Sequence, residues 1–133
     1  MFEEEFNFPE ILIDGEVYLE IFDAIKLQNG SSTHIELTDN LNDDVAIFRI
    51  GDELFAVSNV CPHKHTQEIY DGLVENYIVS CPFHGWEFDL RTGENKNPKF
   101  STKSLKTYTI IQKDNKLYIK KPVIETPKWM QNM

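Results

Sequence analysis

Hydrophobic and polar residues alternate over short stretches of this chain, and a two-residue period is typical of β-strands. Val17, Leu19 and Ile21, for example, alternate with Tyr18 and Glu20. The same reasoning predicts further strands at 33–37, 45–50, 54–57, 73–75, 77–80, 86–88, 105–111 and 116–120. No stretch keeps a helical period over about ten residues. The pattern therefore predicts an all-β fold, a β-sandwich or small barrel.

Turn-forming residues separate the predicted strands. Tight hairpin turns are predicted at Gly51-Asp52, Asn76 and Asp114-Asn115. Residues 23–26 have the composition of one helical turn, and the Asn- and Asp-rich stretch 38–44 is expected to be a surface loop. Short strands joined by such turns agree with the all-β prediction.

A single domain with an insertion fits the length of 133 residues. The acidic segment 1–16 is expected to be an N-terminal arm, whose apolar residues allow either a loose arm or a strand along the sheet. The domain itself is predicted over 17–121, with an inserted lobe at about 59–88 where the strand pattern is interrupted. Residues 122–133 lack periodicity and are expected to form a tail.

The net charge of −9 is unevenly distributed. Residues 1–25 carry eight acids and no Lys or Arg, whereas residues 96–133 carry nine lysines and two acids. One interpretation is that the acidic and basic ends lie near each other in the fold. The other is an acidic face that steers a basic redox partner. The overall acidity argues against a nucleic-acid partner, whose phosphates would be repelled.

Membrane insertion and secretion are not expected. No apolar run approaches the ~18 residues of a membrane-spanning helix. The chain begins with an acidic stretch, Met1 to Glu5, where a secretory signal has basic residues. These observations favour a cytoplasmic protein with reduced cysteines.

The main chemical signal is the pair Cys61-Pro62-His63 and Cys81-Pro82-Phe83-His84. These are the two cysteines of the chain and two of its four histidines. Zinc would accept two Cys and two His in a tetrahedral site, but structural zinc sites usually pair like ligands within one short motif. Here each motif is mixed, which favours a binuclear centre with two thiolates on one metal and two imidazoles on the other.

These two motifs resemble the ligand boxes of Rieske-type [2Fe–2S] proteins, and the resemblance extends from about Val17 to Lys120. It implies one [2Fe–2S] cluster per chain, with Cys61 and Cys81 on one iron and His63 and His84 on the other. It also implies a Rieske-like β-sandwich or small-barrel base with an inserted two-loop cluster-binding lobe.

Four further residues are expected around the ligands: His65, Gly85, Trp86 and Pro98. Gly85 would allow close backbone approach, and Trp86 is expected to pack in the lobe. Many members of the family have Gly where this chain has His65. That imidazole is either an exposed loop residue or a group that makes the reduction potential depend on pH. His34, in a predicted strand, is expected to be structural.

The resemblance also predicts a low reduction potential within the Rieske range. High-potential members carry Ser and Tyr hydroxyls that donate to the cluster sulfurs, where this chain has Trp86 and Phe88. They also have an additional cysteine pair, which this chain lacks. Rieske centres span about −150 to +300 mV, and the chain is expected below about 0 mV.

The function that the resemblance implies is that of a soluble one-electron carrier between a flavin-dependent reductase and a terminal oxygenase. The chain is expected to be an electron-transfer component and not an enzyme by itself, because an oxygenase needs an additional mononuclear iron site. Two alternatives are a small subunit of a nitrite-reductase-like complex and a zinc-stabilised binding module without redox activity.

Overall fold

The computed structural model describes residues 6–61, 68–81, 86–96 and 104–122. Within these ranges the chain has eleven β-strands and three short 3-10 turns, with no α-helix. The strands are β1 Glu10–Ile13, β2 Glu16–Asp23, β3 Ser32–Glu36, β4 Asp44–Ile50, β5 Glu53–Ser58, β6 Leu73–Glu75, β7 Ile78–Ser80, β8 Glu87–Asp89, β9 Thr107–Tyr108, β10 Ile110–Lys113 and β11 Lys116–Lys120. The 3-10 turns are Ala24–Lys26, Leu41–Asp43 and Ile69–Asp71. The all-β prediction is confirmed.

The strands form three antiparallel sheets. Two four-stranded sheets, in the orders β1-β2-β11-β10 and β3-β4-β5-β9, make up the base of the fold. A three-stranded sheet, β6-β7-β8, forms the predicted lobe. No helix within the described residues is long and apolar enough to cross a lipid bilayer.

Strand β4 separates two hydrophobic cores, because its residues alternate between its two faces. Val45 and Ile47 pack into the base core, which also contains Leu19, Leu117 and Ile119. Ala46 and Phe48, which alternate with them, face the lobe. They join the second core, here called the lobe core: Ala46, Phe48, Val57, Cys61, Ile69, Val79, Cys81, Trp86, Phe88, Leu90 and Leu105. A strand buried on both faces reads as the continuous apolar run seen here.

The hairpin turns follow the sequence closely. Asn76 and Tyr77 both have positive φ, of 50° and 65°, and so do Asp114 and Asn115 at 51° and 67°. Two successive residues with positive φ suit the right-handed twist of a hairpin. The predicted hairpins are therefore confirmed, although the second includes Tyr77, which the sequence had suggested as part of a strand.

The N-terminal segment is a strand from Glu10 to Ile13 and pairs with β2. The turn between them is Asp14-Gly15, with φ of 50° and 82°. An Asp-Gly pair between apolar runs is a strong hairpin signal, and it could have predicted this turn. Of the two forms considered for this segment, the strand is the observed one. The division of the chain into arm, domain and tail stays a prediction.

The acidic and basic ends of the chain lie side by side, because β11 pairs with β2. Lys116 lies 2.8 Å from Glu20, and Lys120 lies 3.1 Å from Glu16. Lys116 donates a hydrogen bond to the Glu20 carboxylate, and this interaction raises the pKa of Lys116. The first interpretation of the uneven charge is thus confirmed for these strands.

Candidate metal centre

Cys61 lies three residues after the end of β5 and is fully buried. Strand β5 delivers it to the lobe side of the base, where its side chain joins the lobe core. Because β5 is an inner strand between β4 and β9, main-chain pairing on both sides holds the strand that leads to Cys61.

Cys81 follows β7 directly and is 2% exposed. Its N–H donates to the carbonyl oxygen of Trp86 at 2.8 Å. This bond extends the β7–β8 ladder, in which Ser80 already pairs with Glu87. The ends of the segment between Cys81 and Trp86, here called the second loop, are therefore joined by a main-chain bond.

The two thiols share one core. Cys61 and Cys81 are both free and both belong to the lobe core, although they come from different strands. A buried thiolate in apolar surroundings is unfavourable unless a cation compensates its charge. Two buried free thiols therefore fit the thiolate half of a metal centre, and they fit it better than an exposed or disulfide-bonded pair would.

The imidazole half of the predicted ligand set, His63 and His84, lies outside the described residues, as do His65, Gly85 and Pro98. Their assigned roles stay predictions. Among the described residues there is no group of three or more His, Cys, Asp or Glu side chains that could hold a metal ion. Two of the undescribed segments, 62–67 and 82–85, each begin directly after one of the buried cysteines and contain one of the predicted ligand imidazoles.

Aromatic side chains line the lobe core beside the cysteines. Trp86 is 9% exposed and Phe88 is fully buried, with ring centroids 6.5 Å apart. Their presence keeps water away from this part of the core, which strengthens electrostatic interactions there. The expectation that Trp86 packs in the lobe agrees with its place in this core.

A buried polar network holds the two ends of the segment between Asn59 and Ile69, here called the first loop. The side chain of Asn59 donates to Asp44 at 2.7 Å and accepts from the N–H of Tyr70 at 2.7 Å. Asn59 is fully buried and Asp44 is 1% exposed. Asp44 had been assigned to a surface loop from its polar neighbours. That expectation is wrong, because Asp44 begins β4 and its carboxylate is used inside the fold.

His34 belongs to the same network from β3. Its Nδ1 lies 3.1 Å from both carboxylate oxygens of Asp44, and its ring lies 4.3 Å from that of Tyr70. The expectation of a structural His34 agrees with these contacts. We call Asn59, Asp44, Tyr70 and His34 the Asn59 network; no pattern in the sequence indicated it.

A second polar group attaches the lobe to the base. Tyr77 lies in the turn of the β6–β7 hairpin, and its hydroxyl donates a hydrogen bond to Glu53 of β5 at 2.9 Å. This bond to Glu53 raises the pKa of Tyr77. The guanidinium of Arg91 lies 5.0 Å above the Tyr77 ring. Arg91 also donates two side-chain bonds to Asp89, which lowers the pKa of Asp89 below its ordinary range.

The turn after β8 is held by main-chain hydrogen bonds. The N–H of Gly93 donates to the Asp89 carbonyl at 2.6 Å, and the N–H of Leu105 donates to the Gly93 carbonyl at 2.8 Å. Gly93 has φ of +78°, and a Cβ there would lie 2.0 Å from the carbonyl oxygen of Leu105. Residues 89–93 thus form a turn, and the close approach to Leu105 explains why the turn uses glycine at Gly93.

Comparison with known proteins identifies relatives of the chain. The family profile of the Rieske [2Fe-2S] domain matches residues 18–109. The anthranilate 1,2-dioxygenase ferredoxin subunit of Burkholderia cepacia is 48% identical over 52 residues, which cover 39% of this chain and 47% of that protein. The 3-phenylpropionate/cinnamic acid dioxygenase ferredoxin subunit of Photorhabdus laumondii is 35% identical over 94 residues, which cover 71% of this chain and 85% of that protein.

Solved structures share the fold. The ferredoxin of carbazole 1,9a-dioxygenase from Nocardioides aromaticivorans has a TM-score of 0.67 and 23% identity over 77% of this chain and 96% of its own. A protein of Mycobacterium tuberculosis assigned as an NADH-dependent nitrite reductase small subunit has a TM-score of 0.70 and 21% identity, over 82% of this chain and 98% of its own.

Proposed function

This chain belongs to the Rieske [2Fe-2S] domain family, and we propose that it is a low-potential one-electron carrier that passes electrons from a flavin-dependent reductase to a terminal oxygenase. Members of the family bind a [2Fe–2S] cluster, and the chain carries such a cluster. The observation that carries the proposal is the shared burial of two free thiols, Cys61 and Cys81, each at the start of a histidine-bearing loop.

We assign the cluster ligands to Cys61 and Cys81 for one iron and to His63 and His84 for the other. The burial of both thiols supports the cysteine half of this assignment. The histidine half rests on the spacing of the two motifs. When bound, a [2Fe–2S] cluster accepts and donates one electron without breaking covalent bonds in the protein.

The protein's part is to hold the ligands and to exclude water. Cys81 is held by its main-chain bond to Trp86, and Cys61 by the strand that delivers it. The closely packed lobe core limits rearrangement around the thiols. A rigid, dry site reduces the reorganisation that accompanies a change of charge, and electron transfer benefits from that.

The potential is proposed to lie in the lower part of the Rieske range. Phe88 is fully buried in the lobe core and has no hydroxyl to donate to a cluster sulfur. Donated hydrogen bonds stabilise the more negative, reduced form of a cluster and raise its potential. The absence of a hydroxyl at Phe88 therefore supports a value below about 0 mV.

Visible spectroscopy with potentiometry tests this function. The purified protein should be red-brown, should contain two irons per chain as a [2Fe–2S] cluster requires, and should bleach on reduction. Its midpoint potential should fall below about 0 mV. A midpoint well above zero would contradict the low-potential assignment, and a colourless zinc protein would contradict the carrier function altogether.

The oxygenase partner is proposed from the relatives, two of which are ferredoxin subunits of dioxygenases. The reductase donor is proposed because a one-electron carrier needs a source of single electrons, which flavins supply from two-electron donors. Stopped-flow reduction by a flavin-dependent reductase should be fast at low salt and slower at high salt if the acidic chain steers a basic partner. Rates independent of ionic strength would remove the steering from the proposal.

The nitrite reductase alternative has less support. The similarity to the Mycobacterium tuberculosis protein, at 21% identity, concerns the fold. The more similar relatives are ferredoxin subunits, at 48% and 35% identity. We therefore keep the ferredoxin function, together with a cytoplasmic location, where a reducing environment keeps thiols available as ligands. Cell fractionation with detection of the chain in the membrane-free, non-exported fraction tests the location.

A further inference from the structure

Asn59 uses all four of its polar groups inside the protein. Its main-chain N–H donates to the Asp44 carbonyl at 2.8 Å, and its main-chain carbonyl accepts from the N–H of Ile69 at 3.3 Å. Its side-chain amide donates to the Asp44 carboxylate and accepts from the N–H of Tyr70, both at 2.7 Å. The residue is fully buried, so these bonds do not compete with water.

These four bonds connect three separate parts of the chain. Asn59 itself lies two residues before Cys61. Two of its bonds reach Ile69 and Tyr70, where the chain returns from the first loop, and the other two reach β4. Asn59 therefore closes the first loop and at the same time fixes it to a central strand of the base. Closing a loop restricts the conformations of everything between its ends.

The partners of Asn59 are themselves held in place. His34 contacts the Asp44 carboxylate and stacks near the Tyr70 ring. The hydroxyl of Ser32, also on β3, donates to the Tyr70 carbonyl at 2.7 Å. The end of the first loop is thus bound to β3 as well as to Asn59. The Asp44 carboxylate, in a residue that is 1% exposed, accepts from the Asn59 amide and lies 3.1 Å from His34 Nδ1, so its oxygens have partners inside the protein.

We propose that Asn59 is a positioning residue for the cluster: it fixes the geometry of Cys61 and of the loop that carries His63. This inference rests on the proposed assignment of Cys61 and His63 as ligands. Asn59 does not itself contact the cluster in this proposal. It acts by keeping both ends of the first loop at a constant separation and orientation, so that the ligand site is already formed when the cluster binds.

The test uses the holoprotein and four variants. Asn59→Ala removes both side-chain bonds. The exchange Asp44→Asn with Asn59→Asp moves the carboxylate to position 59 and the amide to position 44. An amide can then still donate to a carboxylate, in the reverse direction, and an oxygen at position 59 can still accept from the N–H of Tyr70. Ile119→Val is the stability control, because Ile119 is fully buried in the base core and has no part in the lobe core. Cys61→Ala tests the ligand assignment separately.

Two measurements distinguish positioning from general stability. One is the rate at which an iron chelator removes the cluster, followed by visible absorbance. The other is the electron paramagnetic resonance spectrum of the reduced protein, whose line widths report the uniformity of the cluster's surroundings. For Asn59→Ala we expect cluster removal to be about tenfold faster, the factor given by the loss of one or two buried hydrogen bonds. We also expect broader lines.

The controls should behave differently. Ile119→Val should lower the resistance to urea yet change the removal rate by less than about twofold, because its cavity lies in the other core. The exchange variant should return to within about threefold of the wild-type rate, because its hydrogen bonds are restored. If Asn59→Ala instead matches Ile119→Val in both measurements, the positioning role is wrong.

Failure of the ligand assignment would look different. If Cys61→Ala keeps its full iron content, Cys61 is not a ligand, and the ligand assignment on which the proposal rests is wrong, whatever Asn59→Ala does.

If Asn59→Ala gives no folded protein, Asp44→Asn alone carries the test, because it keeps the side-chain shape but removes the charge and replaces one acceptor oxygen with an NH2 donor. Its removal rate should then rise about threefold, and a rate equal to that of Ile119→Val would overturn the proposal.

Discussion

Cys61 and Cys81 each stand at the start of a loop that carries a predicted ligand histidine, but the two loops are held by different interactions. The first is closed mainly by the side chain of Asn59, whose bond to Tyr70 spans eleven positions of the chain. One longer main-chain bond, from the N–H of Ile69 to the Asn59 carbonyl at 3.3 Å, adds to it. The second is closed by the main chain, where Cys81 and Trp86 continue the ladder of a β-hairpin.

This difference has a consequence for mutation. Main-chain bonds survive most substitutions, so the second loop should tolerate changes that keep its hairpin and the adjacent turn intact. Bonds from buried side chains disappear with the side chain, so single substitutions at Asn59 or Asp44 can release the first loop. The two ligand loops can therefore differ greatly in their sensitivity to mutation.

The largest effect is expected from the ligands themselves, and there the two loops should be equally sensitive to substitution. Cys61→Ala and Cys81→Ala should each reduce the iron content of the purified protein by at least about tenfold, because structural metal affinity depends on every thiolate. Iron analysis and visible absorbance measure this. Loss of iron from only one of the two variants would contradict the shared role of the two thiols.

The next largest effect is expected from a steric clash in the turn after β8. Gly93→Ala combines a positive φ with a Cβ 2.0 Å from the Leu105 carbonyl oxygen, so it should lower the free energy of unfolding by about 2–3 kcal/mol. Urea unfolding followed by circular dichroism measures it. Gly30→Ala is the matched control, since Gly30 has φ of +80° and nothing within 4 Å of its Cβ position. It should cost about 1 kcal/mol; equal losses would mean that the contact with Leu105 is unimportant.

Gly72 lies between the end of the first loop, at Ile69–Asp71, and strand β7, which leads to Cys81. A Cβ there would lie 2.3 Å from the Ser80 carbonyl oxygen and 2.8 Å from Val79 Cγ2, both on β7. Gly72→Ala should therefore push the end of the first loop away from β7 and lower stability by about 1–3 kcal/mol. It should also speed cluster removal by a chelator. An unfolding free energy within about 0.5 kcal/mol of the wild type would show that the end of the first loop and β7 are not in firm contact here.

A smaller, pH-dependent effect is expected at Asp89. Arg91 lowers the pKa of Asp89, so the ionised carboxylate stabilises the fold above its ordinary pKa of about 3.9. Asp89→Asn should thus lower the free energy of unfolding by about 1 kcal/mol at pH 5 to 8.

That difference should shrink as the pH falls below the ordinary pKa and through the lowered one, because Asp89 then becomes protonated in the wild type as well. Unfolding curves at several pH values measure it. Glu94→Gln is a suitable control, because Glu94 is exposed and its nitrogen–oxygen distance to Lys96 is 3.9 Å. A pH-independent difference for Asp89→Asn would exclude the ionic contribution.

The smallest effect is expected in the base sheet. The Lys120–Glu16 pair has side chains that are 45% and 52% exposed, so Lys120→Met should change stability by less than about 0.5 kcal/mol. The reduction potential and the rate of cluster removal should be unchanged. A clear shift of either would mean that the base sheet affects the ligand loops directly.

Most of the fold was accessible from the sequence because its strands follow local rules. The alternation at Val17–Ile21 and the turn residues Gly51-Asp52 predict their strand and hairpin without tertiary information. The cysteine positions were also found, because the two Cys-containing motifs have unusual spacing.

The Asn59 network could not be predicted in this way. Asn59 and Asp44 are polar residues beside other polar residues, which usually indicates a surface loop. Their burial depends on a pairing between β4 and the end of β5, and on the return of the chain at Tyr70. Such contacts join residues that no local pattern connects, so only the three-dimensional structure reveals them.

The pairing of β2 with β11 also bears on how the chain acquires its shape. The contact between Glu16 and Lys120 joins residues 104 positions apart, so this sheet cannot be completed until nearly the whole described chain has been synthesised. All residues of the lobe core, in contrast, lie between Ala46 and Leu105. Since contacts of long sequence separation form slowly, we expect the lobe to assemble first during synthesis, with β11 closing the base as a late step.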